Sequence, residues 1–169
     1  MTTLILTVAG ADRPGLVSTV ADIVAAHGGN WENSQLGELA GTFAGVIEIS
    51  VAEDRVDALR SDLDALEGML AITVHAGADT SASGTAQRIS ISVLGNDRAG
   101  IVREISGVLS AHALSIETMT TETRDAAMAG GRLFESSVTA TLPASADLDA
   151  LRADIERLTH DLQVDITTL

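Results

Sequence analysis

The chain contains no cysteine, no lysine and no tyrosine, and its aromatic side chains are Trp31, Phe43 and Phe134 alone. Without cysteine there is no disulfide, no thiolate nucleophile and no thiolate-held metal. Without lysine there is no Walker-type phosphate loop and no Schiff-base amine. Without tyrosine there is no phenolic acid or base. Aromatics make up 2% of the 169 residues while hydrophobic residues make up 46%, so the core must be built from Leu, Ile, Val and Ala. Basic charge is scarce as well: ten arginines face 24 acidic residues, for a net charge of −14. Such a field repels phosphate backbones and anionic membranes, and no cluster of arginines offsets it. Direct nucleic-acid binding is not expected, and solubility is the simpler reading of the charge than steering of a ligand. No apolar run approaches the ~20 residues of a membrane span. Met1 to Pro14 carries no basic leader or small-residue cleavage site, so a soluble, cytoplasmic protein is expected.

What the chain does have is repetition. Gly10-Ala11-Asp12-Arg13-Pro14-Gly15-Leu16-Val17 returns 85 residues later as Gly95-Asn96-Asp97-Arg98-Ala99-Gly100-Ile101-Val102. The same offset aligns Leu4, Leu6 and Val8 with Ile89, Ile91 and Val93, and both sets alternate as a half-buried strand requires. Downstream, Leu16, Val17, Val20, Ile23, Val24 and His27 match Ile101, Val102, Ile105, Val108, Leu109 and His112. Spacings of three and four form one helical stripe. Gly28-Gly29 ends the first helix in a left-handed cap.

Later the offset becomes 92. Val56, Leu59, Leu63 and Leu66 match Leu148, Leu151, Ile155 and Leu158 as a second helical stripe, too short for a coiled coil. Leu70, Ile72 and Val74 match Leu162, Val164 and Ile166 as a closing strand. Between the helices lie two strands: Asn30 to Glu38 and Thr42 to Ala52 around a turn at Ala40-Gly41, then Ser115 to Thr123 and Arg132 to Leu142 around a longer connection. Most of the seven extra residues therefore lengthen a hairpin tip. Each copy reads β-α-β-β-α-β, an α+β fold in which a four-stranded antiparallel sheet carries two helices on one face. The expected domains are residues 1–75 and 87–169. Residues 76–86, small and polar, form a flexible linker.

A unit of this order with Asp12-Arg13-Pro14-Gly15-Leu16-Val17 between its first strand and first helix resembles an ACT domain. Asp97-Arg98-Ala99-Gly100 repeats the motif without its proline. Two ferredoxin-like units of this kind are similar to the glycine cleavage system transcriptional repressor group. The resemblance implies amino-acid-responsive regulation, side-by-side pairing of sheets, and a ligand near the loop before the first helix at a domain interface. It implies a partner that is a DNA-binding regulatory protein rather than DNA. It also implies a ligand contact at Asn30, for which the second copy has Ser115.

The loops themselves suit a small anion. The first turn of a helix offers unpaired N–H groups and partial positive charge, and a carboxylate docks there. Gly15 and Gly100 permit close approach, so the amides of Gly15, Leu16, Gly100 and Ile101 are the candidate donors. Asp12, Asp97 and the side-chain oxygen of Asn96 are candidate acceptors for a ligand ammonium. Helix capping is the preferred reading of both aspartates. Arg13 and Arg98 are expected to be solvated or paired with a neighbouring acid. His27 and His112 sit at equivalent helix ends, where an imidazole meets the negative end of the dipole. His75 and His160 have no counterparts and no His-x-x-x-His spacing occurs, so no metal or cofactor is expected. Trp31 is read as a core or interface residue.

Three functions follow. The first is a non-catalytic amino-acid sensor controlling a partner protein, with glycine or serine as first candidates. The second is a structural pairing module that needs no ligand. The third, the least supported, is a small enzyme on the same scaffold, such as an acylphosphatase, for which the chain lacks the glycine-rich arginine loop. A homodimer is expected, because open sheets leave edges to cover.

Overall fold

The alternating and three-four patterns become strands and helices in the computed structural model, which describes residues 1–78, 87–126, 130–158 and 162–169. Residues 79–86 of the expected linker, three residues of the second hairpin's connection, and His160 lie outside the described residues. The chain divides into two compact units, and each is described by itself.

In the first unit β1 (Thr2–Ala11) leads to α1 (Leu16–Ala26), the hairpin β2 (Asn30–Leu39) and β3 (Thr42–Val51), α2 (Val56–Asp64) and β4 (Ala71–Ala76). The sheet order is β2-β3-β1-β4, with every neighbouring pair antiparallel. The second unit repeats this with β5 (Gln87–Asn96), α3 (Ile101–Ala111), β6 (Ser115–Asp125), β7 (Arg132–Leu142), α4 (Leu148–Leu158) and β8 (Leu162–Thr168), in the order β6-β7-β5-β8. Both units are therefore the expected ferredoxin-like βαββαβ arrangement.

Each core is the helix-facing side of its sheet. Leu4, Leu6 and Val8 of β1 and Ile47, Ile49 and Val51 of β3 are buried against Leu16, Val20 and Val24 of α1 and Leu59 and Leu63 of α2. Ile89, Ile91, Val93, Val138, Ala140, Ile101, Ile105, Leu109, Leu151 and Ile155 do the same in the second unit. Burying one such aliphatic side chain contributes about 1.5–3 kcal/mol, which is how a chain nearly free of aromatics builds two cores. Trp31 is half-buried against the first of them.

Two expectations change. Val17 and Val102 leave their stripes: both are over 40% exposed, because a buried stripe at Leu16-Val20-Val24 turns the next position outward. Leu66 is not helical. α2 ends at Asp64, and residues 65–69 form turns that include Gly68 at φ 93°, whereas α4 runs two residues further, to Leu158. The hairpin insertion falls where expected, mostly at the tip: the link between paired strand ends grows from two residues to six, β6 and β7 each gain one residue, and only one more precedes α4. The short link is Ala40-Gly41, with both φ positive at 50° and 79°, the geometry that joins twisted strands most directly.

Candidate functional site

The bend between β1 and α1 is anchored at both ends. On the strand side, Asp12 donates its backbone N–H to the Gly41 carbonyl at 2.9 Å, tying the bend to the β2–β3 tip. On the helix side Gly15 is the N-cap residue, left-handed at φ 92°, ψ −1°. Its carbonyl accepts from the Thr19 N–H at 2.9 Å, the Thr19 hydroxyl at 2.9 Å and the Ser18 hydroxyl at 3.0 Å. A left-handed N-cap is open to glycine at no steric cost and disfavours other residues. The second bend repeats it: Asp97 donates to the Arg132 carbonyl at 2.8 Å, and Gly100 stands at φ 93°, ψ −3°.

Neither helix start has a side-chain cap. The expectation that Asp12 and Asp97 cap α1 and α3 is thereby corrected: the cap position belongs to the glycines, three residues beyond each aspartate. The first-turn amides, beginning with Leu16 and Ile101, lack carbonyls one turn back. Leu16 and Ile101 bury their side chains and can offer only backbone. Asp12, Gly15, Asn96 and Gly100 are exposed and Asp97 is half-buried, with Arg132 Nη1 at 4.0 Å from its carboxylate.

Asn30 and Ser115 do not join these bends within their own units. Asn30 pairs with Ser50, which pairs with Thr3, whereas the bend follows Ala11, paired with Thr42. Eight residues of strand separate the two ends, roughly 26 Å at ~3.3 Å each. Ser115 stands the same way, opposite Thr141 at the far end of β7. Antiparallel pairing sets this separation. β2 starts where β1 starts, at the opposite edge from the loop that follows β1.

That far end carries a duplicated feature of its own. A β-bulge falls between Trp31 and Asn33 and again between Ile116 and Thr118. The intervening Glu32 accepts from the Ser50 hydroxyl at 2.5 Å, and Ser50 and then Asn30 hold its carboxyl below the ordinary range. Glu117 accepts from the Thr141 hydroxyl and from Arg88 Nε at 2.9 Å, which lower it in that order. A bulge re-aims one side chain out of the ladder, and here it turns a glutamate onto the neighbouring strand. The shared 85-residue offset of Glu32 and Glu117 was the signal for them in the sequence.

The paired histidines also have partners that the repeat encodes. His27 Nε2 lies 2.8 Å from Asp62 of α2, and His112 Nε2 lies 2.7 Å from Asp154 of α4. The imidazoles bridge two helices, in addition to sitting at the C-terminal end of one. His112 holds the Asp154 carboxyl below its ordinary value, with Arg157 assisting. Among the described residues no group of three or more His, Asp or Glu side chains is placed to hold a metal ion.

The two bends differ in charge. Arg98 grips Glu104 in the first turn of α3 through two bonds, Nη1–Oε1 at 2.9 Å and Nη2–Oε2 at 2.6 Å. This keeps the Glu104 carboxyl below the usual carboxylate range, against a smaller opposing effect of burial. Position 104 corresponds to Thr19, so α1 has no acid in its first turn. Arg13 has no hydrogen-bond or ion-pair partner among the described residues. Beside the second bend a groove of about 580 Å³ opens over Gly100, Arg103, Glu104, Gly107, Val108 and Leu158.

Both units match known families. Residues 2–77 and residues 89–156 each match an ACT domain model. The chain belongs to the ACT domain family and carries two such domains in tandem. It is similar to the glycine cleavage system transcriptional repressor of Escherichia coli (strain K12), at 26% identity over 94% of this chain and 85% of that protein. Among solved structures, a protein of unknown function from Galdieria sulphuraria superposes with TM-score 0.89 at 23% identity, covering 99% of this chain and 98% of that one. A protein assigned as a glycine cleavage system transcriptional repressor superposes with TM-score 0.68 at 16% identity, over 99% and 97%. These two likenesses concern the fold. No helix among the described residues is long and apolar enough to cross a membrane.

Proposed function

We propose that the chain is a non-catalytic, cytoplasmic regulatory protein that senses a small amino acid at the bend before α1 and controls a partner protein. The observation that carries this reading is the Gly15 N-cap. It presents the uncapped amides of α1 next to Arg13, which has no partner among the described residues, inside an ACT domain. Amides and a guanidinium together suit a carboxylate. Asp12, exposed on the same bend, is placed to accept from an ammonium. Glycine and serine are the first candidates, because the bend is exposed from Asp12 to Gly15 and suits a small ligand held by its charged groups. The similarity to a transcriptional repressor supports a regulatory protein as the partner. The charge of −14 argues against DNA as a direct one.

The sheet topology supports a homodimer. β2 is an edge strand of ten residues, with one side unpaired among the described residues. Antiparallel pairing of β2 with β2 of a second copy reverses one sheet end for end. Asn30 of one copy then stands at the end of the joined sheet where the other copy's Asp12–Gly15 bend lies. This gives Asn30 a place in the site that its own unit denies it. The same edge favours the second reading, a pairing module that needs no ligand.

Calorimetric titration of the intact chain with the twenty amino acids separates the two. The sensor reading expects saturable binding of at least one of them, together with a change in affinity for the captured partner. Absence of all binding by a well-folded dimer leaves the pairing module.

A further inference from the structure

The two bends have the same backbone and the same Asp-Arg pair, but one of them already holds a carboxylate. In the second unit the Glu104 side chain reaches back over the bend, and its Oε1 lies 3.8 Å from where a Cβ on Gly100 would be. It fills both branches of the Arg98 guanidinium. In the first unit the corresponding spot beside Gly15 is bordered by the Ser18 hydroxyl, also at 3.8 Å, and Thr19 turns its hydroxyl inward to the Gly15 carbonyl. The first turn of α1 carries no acid to fill that spot, and Arg13 is left without a hydrogen-bond or ion-pair partner among the described residues. A planar guanidinium binds one carboxylate bidentately, and a second carboxylate brought to it meets the charge of the first.

We infer that Glu104 is a built-in stand-in for the ligand carboxylate, so that only the first bend, through Arg13 and the opening amides of α1, is a receptor, and the chain binds one amino acid rather than two. The inference rests on the amino-acid-sensing reading above and adds its stoichiometry and the residue that sets it. Position 19/104 is the determinant: a short hydroxyl leaves the bend receptive, and a glutamate closes it. Glu104 is one wall of the groove beside Gly100 and Arg103, so shortening it widens space that already exists there.

The test is equilibrium binding of glycine and of serine to the full-length chain, with circular dichroism on every variant. Wild type is expected to bind one equivalent per chain. Glu104→Thr is expected to raise this to two, and Glu104→Gln, which keeps the side chain's shape without its charge, to restore part of the second site. The reciprocal Thr19→Glu is expected to abolish binding, and Arg13→Ala to weaken it about tenfold or more, as loss of a charge-assisted pair does. Two equivalents on wild type, or folded Glu104→Thr and Glu104→Gln that still bind one while wild type binds, overturn the inference and leave the sensor reading standing. No binding by wild type overturns both.

Discussion

The bend before α1 and the bend before α3 have nearly identical backbones, Gly15 at φ 92° and Gly100 at φ 93°, but different charged side chains in the helix turn that follows. The first ends in a helix with no acid in its opening turn, and the second has Glu104 there, locked to Arg98. Backbone is dictated by the fold, because a strand must turn into a helix that packs back on its own sheet. Charge is left to one exposed position that the core does not constrain. Duplication has thus kept the frame and released the chemistry. A similar divergence lies inside the hairpins. In the first unit Leu36 covers Gly45, where any Cβ would stand 2.1 Å from the Gln35 carbonyl oxygen. In the second unit the corresponding pair is Thr121 and Ser136, and the Ser136 hydroxyl is buried with no partner among the described residues.

The comparison breaks most visibly if the units unfold separately. Trp31 is the single tryptophan and lies in the first unit, so its fluorescence reports that unit alone. Leu151→Ala, at a fully buried site, is expected to cost about 2–5 kcal/mol. With independent units, denaturant melts of this variant shift the circular-dichroism transition and leave the tryptophan transition in place. Leu59→Ala does the reverse. A tryptophan transition that moves with Leu151→Ala shows instead that the two units unfold together.

Acid sharpens the same contrast. Glu104, Glu117 and Asp154 are held low in the second unit, against Glu32 in the first. A carboxyl whose value is depressed in the folded chain stabilises fully above its unfolded value, roughly 4, and loses that contribution as pH falls through the folded value. Stability of the second unit is therefore expected to drop more steeply than that of the first as pH is lowered below about 4. Melts followed by both probes across that range measure it. Equal slopes in wild type count against the ion pairs, and Asp154→Asn is expected to flatten the second unit's slope.

The smaller effects concern single positions. Gly15→Ala and Gly100→Ala are each expected to cost about 1–2 kcal/mol, because alanine resists the left-handed conformation. Similar losses in the two units, measured by the same two probes, show that the bends share their backbone requirement. Ser136→Ala is expected to stabilise the second unit by about 1 kcal/mol, since it removes a desolvated hydroxyl that bonds to nothing described. A loss of stability on that change points to a bonded water at the hydroxyl.

Much of this architecture was legible in the residues. Leu4-Leu6-Val8 and Ile89-Ile91-Val93 are buried strands because alternation has a single physical cause, one face toward a core. The 85- and 92-residue offsets located both hairpins and both second helices, since a repeat must bury the same positions twice. The Asp-Arg-x-Gly motif located both bends. Less legible were features set by partners distant in sequence. The aspartates were read as caps because helix starts favour them, and only the left-handed glycines show that the cap place was taken. Leu66 fitted a helical stripe that its chain had already left.

The pattern of apolar and glycine residues by itself determined the fold, the duplication and the shape of each bend, because burial periodicity and left-handed turns are local demands that a sequence states openly. Tertiary structure alone decided which end of the sheet Asn30 occupies, that His27 and His112 reach across to a second helix, and that Glu104 folds back onto Arg98 while Arg13 meets no partner among the described residues. These depend on strand direction and on side chains meeting across space. Strand direction is written in no single residue, and an ion pair is written only in two residues at once.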